Sequence, residues 1–202
     1  MPRIVTCRLV SVASERRLWN ALIADYHYLG LGRPVGRLLR YLLYGDDAII
    51  GAISYTDGAW MLAARDGLLS TLPPGHAICR DAVINNNRFL ILPSARIPNL
   101  ASRALALTLR AVREDWHTRY HVHPELAETF VDPTRYEGTC YRASNWIALG
   151  RTKGFSKQGS RHIDKHQPKI LFVRGLTPQI HRSLEQAQRG HSRAADCSDP
   201  AA

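Results

Sequence analysis

The chain has 202 residues, 45% of them hydrophobic, which is enough to bury one core, so we expect a single domain. An excess of 27 Lys and Arg over 17 Asp and Glu gives a net charge of +10, which favours a polyanionic partner, and we expect DNA. The absence of an apolar run near the roughly 18 residues of a membrane span, and of a recognisable signal peptide, argues against a membrane protein and predicts a cytoplasmic one. The four cysteines form no Cys-x-x-Cys pair, and we predict no metal site.

The N-terminal part of the chain predicts a strand, a helix and a loop. Residues 4–12 alternate like a strand, and residues 14–26 carry one apolar stripe at helical spacing. The glycine-rich loop 30–37 that follows lacks the endings of Walker and Rossmann loops. We therefore interpret its arginines, Arg33 and Arg37, as contacts to nucleic-acid phosphates.

A hairpin and an interrupted strand come next. Residues 38–55 predict two apolar strands joined by a tight turn, and residues 60–65 predict a short helix. Strand patterns at 77–84 and 88–92 are separated by three asparagines. Because asparagine tolerates left-handed backbone, we expect a β-bulge or split in a central strand here, with a simple turn as the alternative.

The longest helix is predicted from Asn99 to about residue 120. Asn99 is a good N-cap residue, and apolar residues recur at three- and four-residue spacing along one face. Because helix N-termini attract anions, Asn99 and Ser102 are candidates to hold a phosphate.

The densest pattern lies in residues 125–150. A strand over 125–131 ends at Asp132-Pro133, a short helix is predicted over 139–144, and a strand returns over 146–150. This order predicts a short βαβ unit with polar and aromatic residues on its connection. Sites in α/β sheets lie at such connections.

The end of the chain is basic and then loses its pattern. Residues 151–174 hold seven basic residues and one acid, and we expect a basic loop at 151–168 followed by a final edge strand at 169–174. Residues 175–202 predict a poorly structured tail with one weak helix, so the expected domain spans residues 1–174. The nucleic-acid contacts expected in the basic segment are Arg151, Lys153, Lys157, Arg161 and Lys165.

Four segments of the chain, at residues 26–30, 85–93, 99–102 and 128–146, resemble in order the DruA family. That family comprises the DruA protein of Druantia anti-phage systems and relatives carried by bacterial mobile elements. More distantly, the Tyr-x-x-x-Asn-Trp segment that starts at Tyr141 resembles the Tyr-x-x-x-Gly-Phe ending of GNAT acyltransferases, and the wider pattern is similar to Mom-type phage DNA-modification proteins. The resemblance implies an α/β (α+β) GNAT-like fold: a mixed, mostly antiparallel central sheet, one long central helix and the short βαβ unit in the C-terminal half.

The resemblance also implies roles for side chains. Tyr141 would stand where GNAT enzymes have a proton-donating tyrosine, and Asp132, Glu128 or His27 could serve as a base. The cofactor stays unknown: the GNAT resemblance makes acyl-CoA a candidate, but the loop at residues 94–98 lacks the glycines that a pyrophosphate site needs. The other residues expected in the ligand pocket are Tyr28, Asn86, Arg88, Asn99, Ser102, Tyr136, Arg142 and Asn145.

Three functions are compatible with these features. The first is a DNA-associated protein of anti-phage defence or of a mobile element that acts on DNA through a GNAT-like core, with other defence or transposon proteins as partners. The second is a non-catalytic nucleic-acid-binding module that recruits partner proteins, in which Tyr141 is only a buried aromatic residue. The third is a metal-dependent nuclease that uses Asp25, Glu128 and Asp132, although their spacing does not specify paired metal ligands.

Overall fold

The computed structural model describes residues 5–152, 155–158, 161–164 and 168–196, and it gives the backbone alone for 155–158, 161–164 and 191–196. The described strands are β1 (Val5–Leu9), β2 (Leu38–Gly45), β3 (Ala48–Asp57), β4 (Val83–Ile91), β5 (Leu126–Val131), β6 (Ile147–Arg151), β7 (Phe155–Gln158), β8 (Arg161–Asp164) and β9 (Ile170–Gly175). The described helices are α1 (Ala13–Tyr26), α2 (Ala63–Ser70), α3 (Leu100–Tyr120), α4 (Thr139–Ala143) and α5 (Pro178–Asp196). Among them, no helix has the length and apolar character needed to cross a membrane.

One sheet of seven strands organises the described chain, in the order β1-β2-β3-β4-β5-β9-β6, and β7 pairs with β8 in a separate ribbon. All neighbours in the large sheet are antiparallel except β4 and β5, which are parallel. The predicted mixed, mostly antiparallel sheet with one long helix is confirmed.

The place of the last strand differs from the prediction. β9 lies between β5 and β6, so the prediction of an edge strand at 169–174 is wrong, and β6 forms the edge instead. Leu171, Phe172 and Val173 are at most 1% exposed, as expected for a strand that is covered on both faces. β5 and β6 of the predicted βαβ unit are therefore parallel but separated by one strand.

The two faces of the sheet carry different helices. Alternate side chains of β2 point to opposite faces, and Leu39 and Leu43 pack in the cluster that contains α3, whereas Leu42 packs against Trp19 and Ile23 of α1. A third cluster joins α2 and α5 to the sheet. α3 and α4 thus lie on one face, and α1, α2 and α5 lie on the other.

Helix α5 occupies the stretch that was predicted to be a loose tail. Its residues Ile180 and Leu184 are buried against Val173 of β9. They stand four residues apart and so share one helical face, which is the physical reason why this stretch packs as a helix.

The asparagine stretch contains the predicted β-bulge. Ser54 of β3 stands opposite Arg88, but the next residue of β3, Tyr55, stands opposite Asn86, so Asn87 is the extra residue of β4. The predicted bulge is confirmed, within one continuous strand. Such a bulge bends a strand and increases its twist. Beyond this point β4 is no longer paired with β5.

Candidate functional site

A cleft opens where β4 and β5 separate. The two strands pair only from Val83 with Leu126 to Asn85 with Glu128, and beyond these residues their ends diverge. The resulting cleft has a volume of about 530 Å³ and is lined on one side by Asn86, Asn87 and residues 89–91 and on the other by residues 129–132. Its size falls within the range of about 300–1,000 Å³ that is typical of ligand sites.

A hydrogen-bond network forms the floor of the cleft. The Tyr141 hydroxyl donates to Oδ1 of Asn86 over 2.8 Å, and Nδ2 of Asn86 donates to the carbonyl oxygens of Ser54 at 3.0 Å and Arg88 at 3.2 Å. The Thr129 hydroxyl donates to the backbone oxygen of Asn86 over 2.9 Å. Asn86 therefore fixes the bulge and connects β4 to β5 and α4 across the strand opening.

The phenol of Tyr141 is held in an apolar aromatic setting. Its ring stacks on Phe172 with 5.6 Å between centroids and meets Trp146 edge-on at 5.2 Å. Burial raises the pKa of the Tyr141 hydroxyl above its usual value. The group thus keeps its proton at neutral pH, and it can act as a hydrogen-bond or proton donor.

α4 reaches this position through a tight start at Gly138. This residue has a φ of +74°, and a Cβ atom built there would lie 2.6 Å from the Phe172 ring. Only glycine combines that backbone conformation with such a close approach. Gly138 therefore allows the first turn of α4 to place Tyr141 over the cleft floor.

Aromatic rings form the rim. His27 stacks on Tyr28 with 5.1 Å between ring centroids, and Tyr28 contacts Tyr136 at 5.6 Å. The guanidinium of Arg135 lies 5.2 Å from the centre of the Tyr28 ring. Tyr136 is 54% exposed, so part of its ring faces solvent at the mouth of the cleft.

His27 and Asp132, which were predicted as possible bases, also line the cleft. Burial, and secondarily the positive charge of Arg88, lower the pKa of His27 to about 4, and Nδ1 of His27 accepts a hydrogen bond from the Leu29 amide at 3.2 Å. Hydrogen bonds from the hydroxyl and amide of Thr134 lower the pKa of Asp132. His27 is therefore neutral and Asp132 ionised at pH 7, and both are weak bases that are better suited to accept hydrogen bonds.

Glu128 does not belong to the cleft. Its carboxylate is fully buried, forms an ion pair with Arg65 of α2 at 2.8 Å and accepts the Ala59 amide at 2.6 Å. Burial raises the pKa of Glu128, and Arg65 opposes that change. The prediction of Glu128 as a base is wrong, because Glu128 anchors α2 to the sheet.

Several predicted pocket residues lie outside the cleft lining. Arg88 donates to the carbonyls of Gly30 and Leu31 and thereby holds the loop after α1. Asn145 is exposed with a φ of +60°, in the turn that ends α4. The exposed Arg142 lies over the Phe172 ring at 5.1 Å. These three residues support the site, and the prediction that they line it is wrong.

The N-terminus of α3 is likewise separate from the cleft lining. Asn99 stands at the predicted N-cap but has a left-handed φ of +55°, and its side chain forms no capping bond. The Ser102 hydroxyl donates to the backbone oxygen of Asn99 at 3.0 Å. Neither Asn99 nor Ser102 lines the cleft, so the prediction that they belong to one ligand pocket with Tyr141 is wrong.

The loop before α3 does not fit the pyrophosphate of acyl-CoA. A pyrophosphate site needs backbone amides that point outward. In this loop the amide of Ala95 donates to Leu92 at 2.9 Å, that of Arg96 donates to Ser94 at 3.1 Å, and that of Leu100 donates to residue 97 at 3.2 Å. Three amides are thus bonded inside the loop, and residues 94–98 contain no glycine that would open the turn, so this loop differs from a glycine-rich pyrophosphate cradle.

The predicted nucleic-acid contacts have different outcomes. Arg37 forms ion pairs with Asp57 and Asp81, both at 2.6 Å, so its charge is already balanced within the protein. Arg33 and Arg151 are exposed. Lys153 and Lys165 lie outside the described residues, and Lys157 and Arg161 are described by their backbone in β7 and β8 alone.

A metal-dependent nuclease receives no support from the described part of the chain. There, no group of three or more His, Cys, Asp or Glu side chains is arranged to hold a metal ion. Asp25 is absent from the cleft lining, and Glu128 is committed to its buried ion pair, so they do not join Asp132 in one site.

Six predicted residues come together at the cleft: His27, Tyr28, Asn86, Asp132, Tyr136 and Tyr141. The prediction missed Asn87, Phe89, Thr129 and Glu137, which also line it. Thr129 has a recognisable signal, since it and Glu128 are the two polar residues of β5, whose other residues are apolar.

Acyltransferases are among the solved structures that are similar to this chain in fold. Aminoglycoside acetyltransferase AAC(6')-Ib in complex with coenzyme A aligns with a TM-score of 0.54 at 13% identity, over 89% of this chain and 98% of that one. FeeM, an N-acyl amino acid synthase from uncultured soil microbes, aligns with a TM-score of 0.50 at 14% identity, over 92% and 97%. A GNAT-family protein from Desulfovibrio desulfuricans aligns with a TM-score of 0.53 at 12% identity, over 86% and 100%. At these identities the likeness establishes a GNAT-like fold.

Sequence comparison identifies the family. No curated protein sequence matches the chain significantly. The sequence model of the family described as Druantia protein DruA matches residues 1–165, which is most of the chain. The chain therefore belongs to the DruA family.

Proposed function

We propose that this DruA-family chain is a DNA-associated protein of anti-phage defence or of a mobile element, and that it acts on DNA through its GNAT-like core. The observation that carries the proposal is the cleft between β4 and β5, with aromatic rings at its mouth and hydrogen-bonding groups at its floor. Exposed aromatic rings stack on nucleobases without regard to sequence. The net charge of +10 supplies the attraction for a polyanion.

The proposal gives the cleft side chains separate tasks. The exposed ring of Tyr136, supported by Tyr28, contacts a base at the mouth. Tyr141 offers its hydroxyl proton to the group held at the floor once that hydroxyl turns away from Asn86. Asp132, ionised at neutral pH, accepts hydrogen bonds from the same group. No step is assigned to acyl-CoA, because the loop before α3 does not fit it.

A non-catalytic nucleic-acid-binding module that recruits defence or transposon proteins is the second candidate. Its support is that the Tyr141 hydroxyl already has a partner in Asn86 and that three amides of the loop before α3 are bonded within that loop. Both candidates place the protein with DNA, and we expect it in the cytoplasm.

The salt dependence of DNA binding tests the proposal. Replacing Lys153, Lys157 and Arg161 together with Gln should make the slope of the logarithm of the DNA-binding constant against the logarithm of salt concentration less negative by about 2 to 3. The reason is that each phosphate contact contributes about 0.9 to this slope on duplex DNA. Fluorescence anisotropy with a labelled duplex measures that slope.

The matched control replaces Arg17, Arg110 and Arg189 with Gln, since these exposed arginines lie elsewhere and their loss changes the net charge equally. The control should leave the slope closer to that of the wild type. Wild-type protein without salt-dependent binding, or an equal change of slope in both triple variants, would contradict a DNA-binding basic segment.

A further inference from the structure

A second, smaller pocket lies on the α1 face of the sheet, beneath the loop that joins α1 to β2. It has a volume of about 100 Å³ and is lined in part by Trp19, Asn20, Leu31, Gly32, Arg40 and Asn87. A polar pocket of this size has room for several water molecules or for one small oxyanion.

Arg40 is the unusual member of this pocket. Its Nε atom is buried and has no hydrogen-bond partner, and no carboxylate of the described chain forms an ion pair with it. Its guanidinium lies 5.2 Å from the centre of the Trp19 ring. Burial lowers the pKa of Arg40, and the charge of Arg16 lowers it further. A half-buried guanidinium whose charged neighbour is another cation lowers the stability of the folded protein unless an anion binds next to it.

Amide groups complete the lining of the pocket. Oδ1 of Asn87 accepts the Ser54 hydroxyl at 2.8 Å, which leaves the Asn87 amide nitrogen as a donor, and Asn20 of α1 supplies a second amide. Arg88 does not line the pocket, since its guanidinium donates to the carbonyls of Gly30, Leu31 and Asn87. The Arg40 guanidinium and the two amides form a donor set that matches a phosphate group.

The bulge brings this pocket next to the cleft. Asn87, the extra residue of β4, lines both the small pocket and the larger cleft. We propose that the Arg40 pocket binds a phosphate group, supplied either by the nucleic-acid backbone or by free phosphate or a mononucleotide. The backbone form rests on the proposed function, whereas binding of free phosphate does not.

Thermal unfolding of the full chain tests this site with three probes: inorganic phosphate, a deoxynucleoside 5′-monophosphate and a short single-stranded oligonucleotide. At tenfold excess over its Kd, a bound probe should raise the Tm of the wild type by about 4 °C. Arg40→Gln should abolish that rise, and it should unfold without probe at the wild-type temperature or above, because it removes an unpaired charge. Arg110→Gln, at an exposed arginine of α3, should respond like the wild type.

The three probes separate the sources of phosphate. A rise of Tm with inorganic phosphate or the mononucleotide identifies a site for a free anion, and a rise with the oligonucleotide alone identifies a backbone site. An Arg40-dependent response to inorganic phosphate in a protein that fails to bind DNA would retain the pocket and remove the proposed function.

Two results would overturn the phosphate site. They are an equal rise of Tm in the wild type and Arg40→Gln, and no rise with any probe in the wild type. If Arg40→Gln does not fold, Arg40→Lys replaces it and should bind phosphate several-fold more weakly, since lysine retains the charge but loses the planar donor fork.

Discussion

At the scale of single residues, Asn86 has the most consequential contacts. Its side-chain amide donates to both carbonyls at the bulge and accepts a hydrogen bond from the Tyr141 hydroxyl. A buried amide with all these partners fixes one geometry, because each lost bond would leave a buried polar group unpaired. The same contacts hold the cleft floor in place for a ligand.

His27 gives a pH dependence whose sign follows from its environment. Its pKa is about 4 in the folded protein and ordinarily 6.5, so the unfolded chain binds more protons between these values. The contribution of His27 to the free energy of unfolding should be fully present above pH 6.5. It should decrease as the pH falls toward 4, by at most about 1.4 kcal/mol per pH unit. Urea titrations of wild type and His27→Gln across this range measure the difference.

His121→Asn is the control for this experiment, since His121 is exposed with a φ of +59° that asparagine tolerates. It should keep the wild-type slope. Identical slopes in the wild type and His27→Gln would show that His27 titrates normally.

Residue identity was easier to predict than residue role. Tyr141, Asp132 and His27 were identified from the sequence and do line the cleft. Glu128 and Arg37 also had plausible chemistry, but their counter-charges, Arg65 for the one and Asp57 for the other, come from distant parts of the sequence. Only the three-dimensional structure shows which charged side chains are already ion-paired within the protein.

At the scale of elements, local pattern was sufficient where an element is defined by its own residues. The hairpin of β2 and β3, the long helix α3 and the bulge at Asn87 follow from apolar spacing and from the backbone freedom of asparagine. The position of β9 depends on which strands it joins, and that pairing spans distant residues. Its continuous apolar run over 170–173 is the one local sign of an interior strand.

Helix α5 allows a direct test at this scale. Leu184 is fully buried between α5 and the sheet, so Leu184→Ala should lower the free energy of unfolding by about 3 kcal/mol. Gln186→Ala, at an exposed position of the same helix, should change it by less than about 0.5 kcal/mol. Chemical denaturation of both variants measures the contrast, and equal stabilities would mean that α5 does not pack on the sheet in solution.

At the scale of the whole molecule, a GNAT-like fold is combined with a basic surface charge and a cleft that lacks a pyrophosphate cradle. The fold places the opening between β4 and β5, and the DruA family membership places the chain among Druantia-related proteins. The family resemblance predicted the GNAT-like fold that contains this opening. It did not predict the pocket at Arg40, because a cation without a counter-charge is visible only once its neighbours are known.

Hydrogen exchange with and without DNA tests most directly whether the cleft receives nucleic acid. With saturating single-stranded DNA, backbone amides in the rim segments 26–30 and 132–138 should exchange more slowly, because a ligand at the mouth covers them and restricts their opening. The exposed face of α3 around Arg110 should exchange at the same rate in both states. Unchanged exchange in both rim segments, while DNA is bound elsewhere on the protein, would contradict a DNA-acting cleft.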